Sequence, residues 1–357
     1  GRRALSEAAA AMSIADEQRV SASGATTTQS ASQPGAYSPQ VIRKLNALTS
    51  DFYAREAASF SATRQAPWHG WEKAWELITA HDAVQGPFPS HAARVPDDSA
   101  GDSGAPLTIL DLGCGNLRFE RFLAEHTNAP LRITALDNCP DLASPAIGAL
   151  SAAFPHSPSS SSAASKTKGG DASGQGTNLP EKTTVDLRAL DIVESLLDGT
   201  FADRLPRNSC DLAVAFGLMH HLPTGALRAR VLEGLLSSLR PGGFAIVSFW
   251  QFLNDARLAA KAAAATAEGR VAHGLPTFQE NDFLLGWQHA EGVYRFCHHT
   301  PEKEIDALLA PIRNPSAPSA SSCASTASLP LREVARFSAD GKQGNLNRYV
   351  VLQRSQC

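Results

Sequence analysis

The sequence has no apolar run long enough to cross a bilayer. Its longest, such as LAVAFGLM at 212–219, fall far short of the roughly 20 residues a spanning helix needs. It also lacks an excess of either charge: 32 lysines and arginines stand against 35 aspartates and glutamates, a net of −3. That excludes a polybasic nucleic-acid coat, although a local basic groove stays open. Cysteine is scarce and irregular. The six, at 114, 139, 210, 297, 323 and 357, form no CxxC pair and no regular framework. Several sit in apolar, strand-like segments, as reduced and buried thiols do, and a cytoplasmic location is the expectation. The N-terminal GRRALSEAAAAMS has a basic start and an alanine run, but Glu7 interrupts it, so no cleaved signal is expected. Met12, the first methionine, is read as an alternative translation start.

What is there is a globular composition, 43% hydrophobic and 19% charged, in a chain of 357 residues. Three stretches read as unstructured: a tail over 1–38, and insertions at 156–183 (HSPSSSSAASKTKGGDASGQGTNLPEKT) and 314–329 (NPSAPSASSCASTASL). None holds enough apolar surface to offset its ordering entropy. Setting them aside leaves a single domain over 39–357 with a regular alternation. Strands are predicted at 107–112, 131–137, 185–190, 210–216, 243–249, 331–337 and 348–353. Helices are predicted at 116–127, 140–152, 192–198, 225–239 and 301–311, with two more, 40–58 and 69–81, ahead of the first strand. Such alternation predicts an α/β fold, a parallel sheet with helices on both faces. The last two strands, joined by SADGKQGNLN, predict a hairpin and one antiparallel edge strand. A further Ala-rich helix, 255–267, lies in a long insertion, 254–300, expected to cover a substrate.

The chemistry begins at LTILDLGCGNLRFERFLAEH, 107–126. In an open α/β sheet a ligand sits beyond the carboxyl ends of the strands, where Asp111, Gly113 and Gly115 fall. Glycines there let the backbone approach the ligand, and the next helix offers unpaired N–H groups. The second strand ends in Asp137, suited to accept from both hydroxyls of a ribose, and the third is followed by Asp191. Three acidic strand ends oppose a pyrophosphate and suit a cationic ligand. S-Adenosylmethionine, with its sulfonium and amino groups, is such a ligand. Where a third glycine might stand the chain has Leu117, expected in the first turn of the helix and facing the sheet.

These stretches, with ALDNCP, ALDIVESL, CDLAVAFGLMHHL and LLSSLRPGGFAIVSFW, resemble the ordered motifs of class I S-adenosylmethionine-dependent methyltransferases. The resemblance covers most of 107–253 and marks 105–253 as the core. It implies a Rossmann-like seven-stranded sheet of order 3-2-1-4-5-7-6 with the last strand antiparallel. It also implies Asp111 and Gly113 near the methionine part of the cofactor, Asp137 at the ribose and Asp191 near the adenine. Cys114, Gly115, Asn138, Ile192, Phe216 and Gly217 complete the expected cofactor surface, and no metal is expected.

A narrower resemblance lies outside the core. DFYAREAASFSATRQAPW, 51–68, is similar to the segment that precedes the first strand in methyltransferases esterifying 5-carboxymethyluridine at the tRNA wobble position. AFGLMHHLPT, SFWQF, VYRFCHHTPEKEIDALL and NLNRYVVLQR are further matches, although the family's Gly-Glu-Leu after its aromatic segment is missing here. This resemblance implies tRNA as a partner, together with a small activating protein. Residues 41–75 carry five basic side chains (Arg43, Lys44, Arg55, Arg64, Lys73) against three acidic ones, an excess of two only.

Methyl transfer from a sulfonium is in-line displacement at an already activated carbon, so catalysis is largely positioning and desolvation. A carboxylate acceptor is ionised at neutral pH and needs an anion holder rather than a base. Arginine suits that task, and Arg64 is the first candidate, with a capping or surface role as its alternative; Arg295 is the second. His220, beside His221, is either a base for a hydroxyl or amine acceptor or a packed, hydrogen-bonded imidazole. Trp68, Trp71 and Trp75 fall at helical spacing and read as a core stripe, with Trp68 also placed to lid the cofactor. Cys297-His298-His299 has no fourth metal ligand at suitable spacing. Two other readings remain open: a small-metabolite methyltransferase, and an inactive cofactor-binding subunit, which Leu117 alone favours.

Overall fold

The computed structural model describes residues 37–85, 106–139, 141–143, 183–288, 290–313 and 331–355. Two helices come first, α1 (Pro39–Ala62) and α2 (His69–Gln85). Ser38 caps α1 by accepting from the Val41 N–H, and Pro39 supplies a preset φ at the first helical position. Ile42, Leu45, Thr49 and Phe52 recur at helical spacing and are buried. Tyr37 and Ser38, assigned to the tail by composition, therefore belong to the folded domain; the Tyr37 hydroxyl also donates to Asp282 at 2.8 Å.

The core alternates β1 (Leu107–Leu112), α3 (Arg118–His126), β2 (Leu131–Asp137), β3 (Thr184–Ala189), α4 (Ile192–Leu197), β4 (Cys210–Ala215), α5 (Gly225–Ser238) and β5 (Leu239–Trp250). After it come α6 (Ala256–Ala272), β6 (Asp282–Leu285), β7 (Arg295–His298), α7 (Glu302–Arg313), β8 (Leu331–Ala339) and β9 (Asn347–Arg354). Seven strands form one sheet in the order β3-β2-β1-β4-β5-β9-β8. This is the expected Rossmann-like order once the separate β6–β7 pair is set apart. β9 runs antiparallel to both β5 and β8. The antiparallel strand thus lies second from the edge, not at the edge as the hairpin alone suggested, because β8 rather than β9 takes the outer place.

Side chains alternate across the central strands. Leu107 and Ile109 of β1, with Leu212 and Val214 of β4, pack beneath α2 and α3 against Trp71, Phe119 and Phe122. Leu110, Leu112, Ala213 and Ala215 face the opposite layer of α4, α5 and α7. Both faces are therefore closed, as a parallel sheet requires, and each fully buried aliphatic or aromatic side chain contributes roughly 1.5–3 kcal/mol. β3, at the edge, is correspondingly more exposed.

Three expectations shift. Leu117 precedes α3 as its N-cap with φ 55°, fully buried, instead of sitting in the first turn. β5 begins at Leu239, so the LRPGG turn runs into the strand with an irregular register between Cys210 and Leu212. There a Cβ on Gly243 would stand 2.7 Å from the Cys210 carbonyl oxygen, so only glycine fits. The insertion 254–300 holds the β6–β7 hairpin as well as a helix, and the hairpin packs on α1 through Leu45, Leu284, Tyr294 and Phe296. The expected helix 140–152 falls mostly outside the described residues, as do nearly all of the tail and both insertions.

Candidate active site

A cavity of about 870 Å³ opens at the carboxyl ends of β1, β2 and β4, between them, α1, the 63–68 loop and the β6–β7 insertion. Of the residues singled out from sequence, every one assigned to the cofactor or acceptor site lines it: Arg64, Trp68, Asp111, Gly113, Cys114, Gly115, Asp137, Asn138, Asp191, Ile192, Phe216, Gly217, His220 and Arg295. They come from six separate segments, and the topology brings them together.

The strand-end side is acidic. Gly113 and Gly115 have φ of 78° and 55°, values at which an L side chain is strained, and they turn the chain from β1 toward α3. Their loop is held to β2: the Gly113 N–H donates to the Leu136 carbonyl at 2.8 Å. The Gly115 N–H donates to Asp137 Oδ2 and the Cys139 N–H to Asp137 Oδ1, each at 2.8 Å. Burial raises the Asp137 pKa and these N–H groups pull it back. Asp191 caps α4 through the Glu194 N–H and accepts from Asn46 of α1. Asn138 donates to Ser50 at 2.8 Å. Several of these polar groups are thus already engaged in bracing the cavity wall. Trp68 lies over Gly217, 3.6 Å from where a Cβ would stand, and beside Trp71, while Arg118 stacks on both indoles. Trp71 and Trp75 are buried core residues; Trp68 and Trp71 line the cavity and Trp75 does not.

The side formed by α1 and β7 is basic and aromatic. The Arg64 guanidinium stands 3.6 Å from the Phe60 centroid and 4.8 Å from that of Trp287. Arg295 lies 4.5 Å from Phe52 and within 6 Å of Phe60, Trp250 and Trp287. It is 5% exposed, and its Nε and Nη1 have no hydrogen-bond partner among the described residues. No carboxylate pairs with either arginine among the ion pairs of the described residues. Burial, then the charge of Arg295, pushes Arg64 down to about 10, so it remains a cation at neutral pH. Two guanidiniums sharing an aromatic enclosure without a counter-charge present a site for an anion.

His220 and His221 are held neutral. His221 Nδ1 lies 2.8 Å from the Phe296 carbonyl oxygen and Nε2 lies 2.9 Å from the Tyr53 hydroxyl. A carbonyl only accepts, so Nδ1 carries the proton and Nε2 accepts from Tyr53. Burial and the charge of Arg295 push this imidazole down to about 3. His220, 7% exposed, stacks between His221 and Trp250 with its Nδ1 unpartnered. Burial, then His221 and Arg295, hold its pKa well below the ordinary value. An imidazole whose protonated form is so disfavoured is a poor general base.

His298 and His299 do not join Cys297 as ligands. His298 is clasped by Asp282 and Glu304 at 2.6 and 2.8 Å, and His299 Nδ1 accepts from the Leu253 N–H. Cys297 instead meets His220 and His221, with ligand atoms within 4.8 Å of one another. Both His221 nitrogens are engaged and the trio faces the charge of Arg295, so this donor set is ill suited to a cation. Tyr53, Phe60, Trp250 and Trp287 were not singled out from sequence. Tyr53 and Phe60 are seven residues apart on α1, hence on one face, a detectable signal; the two tryptophans come from segments whose meeting no local pattern announces.

No protein-family model and no curated protein matches the chain. Among solved structures it is similar to a SAM-dependent methyltransferase from Methanosarcina mazei, at 16% identity and TM-score 0.41, covering 70% of this chain and 93% of that one. It is also similar to the 1,6-didemethyltoxoflavin N1-methyltransferase of Burkholderia thailandensis, at 14% and 0.45, covering 91% and 93%. The N-methyltransferase NodS of Bradyrhizobium japonicum gives 14% and 0.37, covering 71% and 89%. None of these three reaches a TM-score of 0.5, and the fold stated above rests on its own strand order.

Proposed function

We propose that this chain transfers a methyl group from S-adenosylmethionine to a carboxylate. The observation that carries this reading is the charge polarity of one cavity: carboxylates at the strand ends, and on the side of α1 and β7 two guanidiniums with no carboxylate partner among the described residues. A sulfonium donor suits the first and an ionised acceptor the second. In this reading Asp137 receives the ribose hydroxyls, the Gly113–Gly115 loop lets the methionine part approach, and Trp68 covers the cofactor. Arg64 and Arg295 hold the acceptor oxygens while the aromatic walls exclude water, which favours attack by a carboxylate on a sulfonium. Neutral His220 fits a reaction that needs no base.

The finer reading takes the acceptor to be the carboxylate of a modified wobble uridine in tRNA, with a small activating protein as partner. The 51–68 segment and the stacking surfaces of Trp250 and Trp287 support it, since a planar ring bearing a carboxylate matches an aromatic box with a guanidinium. A small-molecule carboxylate is the second reading. The depth of Arg295 supports it, because an acceptor must pass almost wholly inside to reach that side chain.

Calorimetry with S-adenosylmethionine tests the donor: binding by the parent, lost or much weakened in Asp137→Ala, is expected. No binding by the parent, or equal binding by the variant, ends the cofactor assignment. Labelled methyl groups transferred to cell RNA or to small-molecule fractions, and then released as methanol by mild base, would identify ester formation and its acceptor. Wobble-uridine esters unchanged in cells lacking this protein and any redundant enzyme would refute the tRNA reading.

A further inference from the structure

Two carboxyl groups meet beneath the Gly113–Gly115 loop. Asp111 ends β1 and is 2% exposed; Glu120, in the first turn of α3, is 1% exposed. Asp111 Oδ1 and both Glu120 oxygens have no hydrogen-bond donor among the described residues, although the two side chains lie within hydrogen-bonding reach of each other. Only Asp111 lines the cavity; Glu120 stands behind it. The other charged or titratable groups that act on the pair are Asp137 from β2, the Cys114 thiol in the loop, and Arg121 on α3. Of these only the partly exposed Arg121 is a cation, and it acts on Glu120.

Two buried carboxylates without donors do not both stay ionised; a proton between them supplies the missing hydrogen bond and removes one charge. Burial and then the charge of Glu120 raise Asp111 well above the carboxylate range, and burial lifts Glu120 to about 7. Such a pair titrates as a unit.

We propose that Asp111 and Glu120 share a proton in the free protein and release it to solvent when a cationic ligand enters the cavity, so that the site selects for positive charge. No bond other than the O–H is broken: the proton leaves through the cavity and the ligand's charge replaces it beside Asp111. Glu120 acts through Asp111 and is a positioning residue. The inference rests on the donor reading above only for the identity of the ligand.

Two measurements test it. In the free protein, infrared difference spectra between parent and Glu120→Gln at pH 7 should contain the carbonyl stretch of a protonated carboxyl; its absence overturns the shared proton whatever the ligand. Calorimetry with S-adenosylmethionine in buffers of different ionisation enthalpy should show close to one proton released per ligand bound, with affinity rising by up to about tenfold per pH unit. In Glu120→Gln the amide donates to Asp111, which is then already ionised, and proton release should disappear. Binding without proton release, or equal release in the variant, overturns the proposal. Failure of the parent to bind at all overturns the donor reading instead, and the spectra still decide the pair.

Discussion

Replacing Arg295 by methionine is expected to stabilise the protein while impairing its turnover. Ordinary truncation of a buried side chain lowers stability by leaving a void. Arg295 differs because it is 5% exposed, cationic, and has two N–H-bearing nitrogens without acceptors. Each unsatisfied buried donor costs roughly 1–3 kcal/mol, and the unpaired charge adds to this. Stacking offsets part of it. Phe52 lies at 4.5 Å and three further rings at 5.7–5.9 Å. A desolvated cation–π contact contributes about 2 kcal/mol at best, and the distant rings less. Methionine keeps the unbranched apolar stem and needs no acceptor, so Arg295→Met should gain about 1–3 kcal/mol. For a domain of this size that is a rise in Tm of about 2–4 °C per kcal/mol. Urea denaturation and thermal melts without ligand measure it. Under the proposed function, turnover of a carboxylate acceptor should fall about 10- to 100-fold, because a charge-assisted hydrogen bond of roughly 1.5–3 kcal/mol is lost. A variant less stable than the parent would refute the unpaired-cation argument, and undiminished turnover would remove Arg295 from the acceptor site.

Three further outcomes are expected. Burial lowers the His298 pKa, but the hydrogen bonds its ring N–H groups donate to Asp282 and Glu304 outweigh it and the net direction is up. Its contribution to stability is therefore complete below the unfolded value near 6.5 and fades as pH rises through the folded value; His298→Gln should flatten that slope in denaturation series at pH 6–9. Leu117→Gly relieves a left-handed strain of about 1–2 kcal/mol but gives up a buried leucine worth roughly 2–5 kcal/mol. Net destabilisation with cofactor affinity within about threefold of the parent is expected, and a gain in stability would show that the strain dominates. His220→Gln should leave the pH profile of turnover between 6 and 8 unchanged in shape; loss of a limb would reinstate His220 as a base.

Local chemistry determined much of this protein. Strand and helix periods, the two glycines after β1, and carboxylates at successive strand ends are encoded within a few residues, so element order and the strand-end side of the cavity were legible from sequence. The outer place of β8 came from the family resemblance and not from local pattern, since a hairpin's sequence does not say which of its strands meets β5. Nor was the β6–β7 pair, whose four-residue strands carry no clear alternation and are held by packing on α1. Leu117 kept its place beside the Gly113–Gly115 loop, but its left-handed backbone is set by burial in the core overriding local preference. The basic side of the cavity is the clearest case. Arg64 and Arg295 were visible as candidates, each with a bland alternative. Only the tertiary structure brings Phe52, Phe60, Trp250 and Trp287 around them, with no carboxylate paired to either among the described residues, because a charge is paired or unpaired according to which distant segments fold beside it.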